Sequence, residues 1–182
     1  MSADRSASLT ARLAAAVDRW GEREVAERSA ALILSGIEQS EFLEYVGGDA
    51  APSDDGEGMP AAFVRSWGAR ALETVWVDGA AASIVLGLRD EAWRVRMVCA
   101  RVCAIRELGV PDELVPLLHD DNWRVRDAAA WAIGRVGEHE HAEAVGELLH
   151  DPHPKVIARA EQALVDLAER LDRPMDDYVF GF

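Results

Sequence analysis

The chain has 182 residues, a formal net charge of −14 and 49% hydrophobic residues, enough apolar content for one folded domain with a sizeable core. The charge repels nucleic-acid phosphate and anionic membrane alike, so nonspecific binding to either is disfavoured, and the acidic surface reads chiefly as an aid to solubility. No signal-type apolar core and no run of about 20 apolar residues occurs, so a cytoplasmic protein without a membrane span is expected.

Alanine, leucine, glutamate and arginine are plentiful and long Val/Ile/Thr alternations are absent, which predicts an all-α chain. Residues 1–7 are small and polar and are expected to fray. Ser8 is placed to cap a helix whose Leu9, Leu13, Ala16, Val17 and Trp20 share one face, and Gly21 ends it. A second helix is predicted from about Glu22 to Glu38, striped by Val25, Ser29, Leu32, Ile33 and Ile37, with a short amphipathic piece from Phe42 to Val46. Residues 1–46 thus read as an irregular N-terminal helical cap. Residues 47–59 combine turn formers with acid and predict a flexible acidic loop; their glycines lack the spacing and the following lysine of a phosphate-binding loop.

From Pro60 onward one pattern recurs. Val64, Val95, Val125 and Val156 are 31, 30 and 31 residues apart. Four positions beyond each stand Gly68, Cys99, Ala129 and Ala160. Seven beyond are Ala71, Val102, Ala132 and Ala163, and eight beyond are Leu72, Cys103, Ile133 and Leu164. This is one apolar helical face, with a small residue where two helices must approach closely. Shorter apolar helices follow each of the first three, in Gly79 to Leu88, Asp112 to His119 and Ala142 to His150. Cys99 and Cys103 sit in the stripe, one turn apart, as packing thiols rather than a disulfide or metal site.

The helix entries carry the most distinctive copies. Asp120-Asp121-Asn122-Trp123-Arg124-Val125-Arg126 repeats Asp90-Glu91-Ala92-Trp93-Arg94-Val95-Arg96, with a degraded copy from Asp151 to Ile157. Self-similarity at this period indicates stacked helical repeats. The pattern resembles the HEAT repeats, in particular the short bacterial kind of the phycobilisome bilin lyases, over about Pro60 to Leu171. The resemblance implies an α-α superhelix, a HEAT-like solenoid of about four helical pairs over residues 60–171, with 172–182 as a C-terminal tail, in a single domain of residues 1–182. It also implies an Asp/Arg ladder between repeats. The pairs available are Asp90 with Arg96 and Asp120 with Arg126, and the ladder is expected to fail at both ends, where Met59 precedes Arg65 and Ile157 follows Asp151.

No catalytic, cofactor or metal residues are assigned. The deoxyhypusine hydroxylases of the same fold place His-Glu pairs just after the repeat valine, where this chain has Arg96-Met97, Arg126-Asp127 and Ile157-Ala158. The HEAT-like alkylpurine DNA glycosylases line a basic groove with tryptophan and aspartate, which Trp123 and Asp127 match only faintly on an acidic chain. A bilin lyase role needs more repeats than are visible. His139, His141, His150 and His153 cluster in sequence, but His119 and His150 hold equivalent repeat positions, so exposed turn histidines are expected rather than a metal set. Trp93 and Trp123, at helix entries, are expected to pack across the preceding turn.

Function is sought where the copies differ. Six residues past the valine stand Arg70, Arg101, Trp131 and Gln162, so Trp131 is expected to face solvent as an interface anchor beside Arg101 and Gln162. The tail adds Tyr178, Phe180 and Phe182 beside acid, either docking as a cap or serving as a binding motif. The expected function is a non-enzymatic protein-binding scaffold with an unidentified protein partner and no cofactor. Alternatives are an acidic inhibitor or immunity-type protein covering a basic effector, and a HEAT-like enzyme.

Overall fold

The computed structural model describes residues 3–36, 41–51 and 60–172, all helical or in turns, with no strand among them. Helix α1 (Leu9–Trp20) starts where the Ser8 hydroxyl accepts the Ala11 amide at 3.3 Å and stops at Gly21, whose φ of 85° few other residues would adopt. Helix α2 (Glu22–Ser35) is shorter than the predicted run to Glu38. Gly36 turns left-handed at φ 62° and returns its amide to Leu32, closing the helix there.

Helix α3 (Glu41–Gly47) runs into a 3₁₀ turn at Gly48–Ala50. Residues 47–51 of the expected flexible loop are therefore held in place, and so are residues 3–7 of the stretch expected to fray. Arg5 donates to the carbonyls of Gly48, at 3.1 Å, and Ala51, while Arg12 donates to those of Tyr45, at 2.9 Å, and Ala7. Two arginines that look like solvated charges in the sequence thus fasten the start of the chain to the end of α3.

The chain divides into two compact units, residues 1–99 and 100–182. The first contains α1 to α3, α4 (Ala61–Ala71), a 3₁₀ turn at Asp78–Ala80, α5 (Ala81–Gly87) and the first half of α6 (Trp93–Arg106). Here α2 packs against α4 and α5, and α1 against α2 and α3. The second unit contains the rest of α6, α7 (Pro111–Leu114) with its 3₁₀ continuation Val115–His119, and α8 (Trp123–Val136). Then come α9 (Ala142–Glu147) between 3₁₀ turns at His139–His141 and Leu148–His150, and α10 (Pro154–Arg170). Its broadest packing is α8 on α10, with α9 beside α10 and α7 beside α8. This pairing of neighbouring helices is the α-α fold class that the repeat pattern implies. No helix among the described residues is long and apolar enough to cross a membrane.

All sixteen positions of the valine register are buried, so the periodicity identifies the core side of α4, α6, α8 and α10. The small residue four past the valine does what its size suggests. A Cβ on Gly68 would lie 2.5 Å from the Ser29 carbonyl oxygen and 2.7 Å from the Leu32 Cβ, so α4 meets α2 with no room for a side chain.

The ion pairs differ from the pairing expected within each heptapeptide. Arg65 grips Asp90 with two hydrogen bonds of 2.7 and 3.0 Å, and Arg126 grips Asp151 with two of 2.6 and 2.8 Å. Within their own heptapeptides Arg96 and Arg126 donate to main-chain carbonyls, those of Asp90 and Asp120, at 2.8 Å. The carboxylates also cap their own turns: Asp90 accepts the Ala92 amide, Asp120 that of Asn122 and Asp151 that of His153. Arg65 and Asp151, expected to lie beyond the ends of the ladder, are thus full members of it. Hydrogen bonding from Arg126 holds the Asp151 carboxyl below the usual carboxylate range despite its burial, and the same bonds raise the Arg126 guanidinium.

Cys99 and Cys103 are free and fully buried. Burial pushes the Cys103 thiol up to about 12, so it carries almost no thiolate at neutral pH. Folded protein mixed with a water-soluble maleimide at pH 8 should show no adduct by intact mass spectrometry, whereas protein in denaturant should gain two. Labelling of the folded form at the rate of a free thiol would contradict this packing.

Candidate protein-binding surface

The outward side of the second unit is set by the same register that sets its core. Residues six and ten past each valine lie one turn apart on the side away from the buried stripe. Helix α6 contributes Arg101 and Ile105 there, α8 Trp131 and Arg135, and α10 Gln162 and Asp166. Arg101 and Gln162 are exposed and Trp131 is half-buried.

The charged group over the Trp131 ring is Arg159, which the spacing did not single out. Its guanidinium carbon lies 5.7 Å from the ring centroid, and its Nε is 3.4 Å from Asp127 Oδ1. Asp127 stands one turn before Trp131 on α8, so a side chain of α10 is held over the indole by a carboxylate of the tryptophan's own helix. Gln162 donates instead to Asp166 at 2.9 Å. Arg135 pairs with Glu107 at the same end of the unit.

Ile105 is a further candidate. It is 39% exposed, unusual for isoleucine, and sits one turn past Arg101. The signal was present in the repeats, since the position ten past the valine reads Thr74, Ile105, Arg135 and Asp166, apolar once and polar three times. Trp131 and Ile105 are thus apolar exceptions at otherwise polar positions of the same face. Tyr178, Phe180 and Phe182 lie outside the described residues.

The histidines do not converge. His141, expected in the open, is 5% exposed: its Nδ1 accepts the Glu138 amide at 3.0 Å and its Nε2 lies 3.3 Å from Asp112 Oδ1. The polar run Glu138 to His141 conceals a capping box at the start of the 3₁₀ turn, which draws the imidazole inward. His153 caps α10 through its Nδ1 and stacks flat on Trp123, with ring centroids 3.8 Å apart and planes 10° apart. Trp123 therefore packs on the turn that follows its repeat. Among the described residues no group of three or more His, Cys, Asp or Glu side chains could hold a metal ion.

No curated protein matches the chain. Residues 81–165, from the start of α5 into α10 and somewhat under half of the chain, match the family model for HEAT repeats.

Proposed function

We propose that the chain is a non-enzymatic protein-binding scaffold or adaptor whose contact surface centres on Trp131, with Ile105, Arg101 and Gln162 around it. HEAT repeats generally serve as protein-interaction scaffolds. The observation that carries the reading is the braced indole: Arg159, tied to Asp127, holds over Trp131 at a position where the other copies are polar. An aromatic ring fixed before a partner arrives loses little entropy on binding, which is the property of an interface anchor.

The test is affinity capture from the native host followed by titration of the captured protein. Trp131→Ala should weaken that partner at least about tenfold and Ile105→Asp should do the same, because anchors of this kind cost about 2 kcal/mol or more when truncated. Circular dichroism and the melting midpoint should stay close to wild type, since the valine stripe is untouched. Undiminished affinity in both folded variants would remove the surface from consideration. Turnover of a duplex carrying an alkylated base, or a stoichiometric metal in the purified protein, would favour a HEAT-like enzyme instead.

A further inference from the structure

At the start of α8 and α10 basic groups gather around one ring. The Trp123 indole is stacked on His153, has the Arg124 guanidinium carbon 4.4 Å from its centroid and the Lys155 ammonium at 5.4 Å. Lys155 is the only lysine in the chain, and both it and Arg124 are exposed. Among the described residues no carboxylate pairs with the Lys155 ammonium. His153 Nδ1 accepts the Lys155 amide at 3.3 Å, so in the neutral ring the hydrogen sits on Nε2 and is a donor with no acceptor among the described residues. Of the nearby acids, Asp151 is held by Arg126 and Asp127 by Arg159.

The placement runs against what the helices favour. Arg124 and Lys155 stand in the first turns of α8 and α10, where carboxylates are stabilising and cations are not, and neither first turn contains an acidic residue. The chain has 33 acidic residues available against 19 basic ones, so scarcity does not explain the choice. The same arrangement occurs in the first unit, where Arg94 lies 4.5 Å from the Trp93 centroid and 5.3 Å from that of Phe63. Local preference is overridden where a site needs it.

We propose that Lys155, Arg124 and His153, held around Trp123, form a docking site for a short acidic peptide segment of a partner protein. Donors gathered around one ring suit carboxylate oxygens. Nucleic acid fits less well for two reasons. The indole already carries an imidazole on one face and a guanidinium close by, leaving little room for a base to stack. A net charge of −14 repels an extended polyanion, while a short acidic segment lies within about one Debye length, roughly 8–10 Å, of the patch and feels it first. The site uses residues other than those of the Trp131 surface, and its test does not depend on that surface.

The test uses full-length protein and a fluorescein-labelled oligo-glutamate peptide, followed by anisotropy at low salt, with a Gly/Ser peptide and oligothymidylate of equal length as comparisons. The acidic peptide should bind, weaken with added salt, and lose at least about tenfold in affinity in Lys155→Glu and in Arg124→Glu. Both substitutions are on the surface, and glutamate suits a first helical turn, so the variants should melt at or above the wild-type temperature. Bound peptide should also slow acetylation of Lys155, read by mass spectrometry as the only side-chain amine. Binding no tighter than the Gly/Ser peptide, affinity unchanged by both reversals, or tighter binding of oligothymidylate would each overturn the proposal.

Discussion

Replacing Arg126 by methionine should remove about 3 kcal/mol of stability at pH 7, measured by urea unfolding. The guanidinium is 13% exposed and the Asp151 carboxylate only 3%, so the variant leaves a buried anion with no cation. Removing one partner of a buried pair costs about 3–5 kcal/mol, and the low end applies because Arg126 keeps some contact with water. The double variant Arg126→Met with Asp151→Asn should recover part of the loss, since the stranded charge is gone. The pH dependence has a definite sign. Asp151 is more acidic in the folded protein than in the unfolded chain, so its contribution is fully present above the unfolded value near 4 and is lost as pH falls through the lower folded value. The gap between wild type and Arg126→Met should therefore narrow below about pH 4, leaving about 1 kcal/mol for the lost bonds to the Asp120 and Asp121 carbonyls. A gap of constant size from pH 7 to pH 3 would assign the effect to packing of the arginine stem.

Gly68→Ala should cost about 2 kcal/mol net, although alanine is the better helix former by about 1 kcal/mol. The added carbon meets a main-chain oxygen, Ser29 O at 2.5 Å, which cannot rotate aside, so α2 and α4 must separate. Gly79 provides the control, because nothing lies within 4 Å of its would-be Cβ. Gly79→Ala should be neutral or slightly stabilising through the unfolded chain. Equal midpoints for the two variants in thermal melts would mean that α2 and α4 do not pack as closely as described.

The parts of this architecture legible in the sequence are those fixed by helical periodicity. The valine register locates the buried faces of four helices because every member obeys one spacing, and the position of Trp131 follows from the same count. What the spacing hides is which neighbour a long polar side chain selects. Asp90 and Arg96 are six residues apart, which brings the guanidinium to the aspartate's carbonyl, while the carboxylate faces Arg65. Arg159 over Trp131 and Arg5 on Gly48 are likewise long reaches between elements, invisible to a periodic reading. His141 is misleading for a different reason: a run of four polar residues looks solvated, yet a capping box turns one of them inward. Ile105 was readable, since it breaks the polar pattern of its position as Trp131 does.

Both arginine clamps span 25 residues, and in each the acceptor heads the repeat after the donor's. Each clamp therefore joins an arginine of one repeat to the aspartate that heads the next. A tandem duplication of the one period from Arg126 to Val156 would bring in one new donor and one new acceptor at the same 25-residue spacing. An inserted fraction of a period would instead strand a buried carboxylate. Growth of such a chain by whole units is thus permitted by the chemistry of its joints, and growth by any other length is penalised by it.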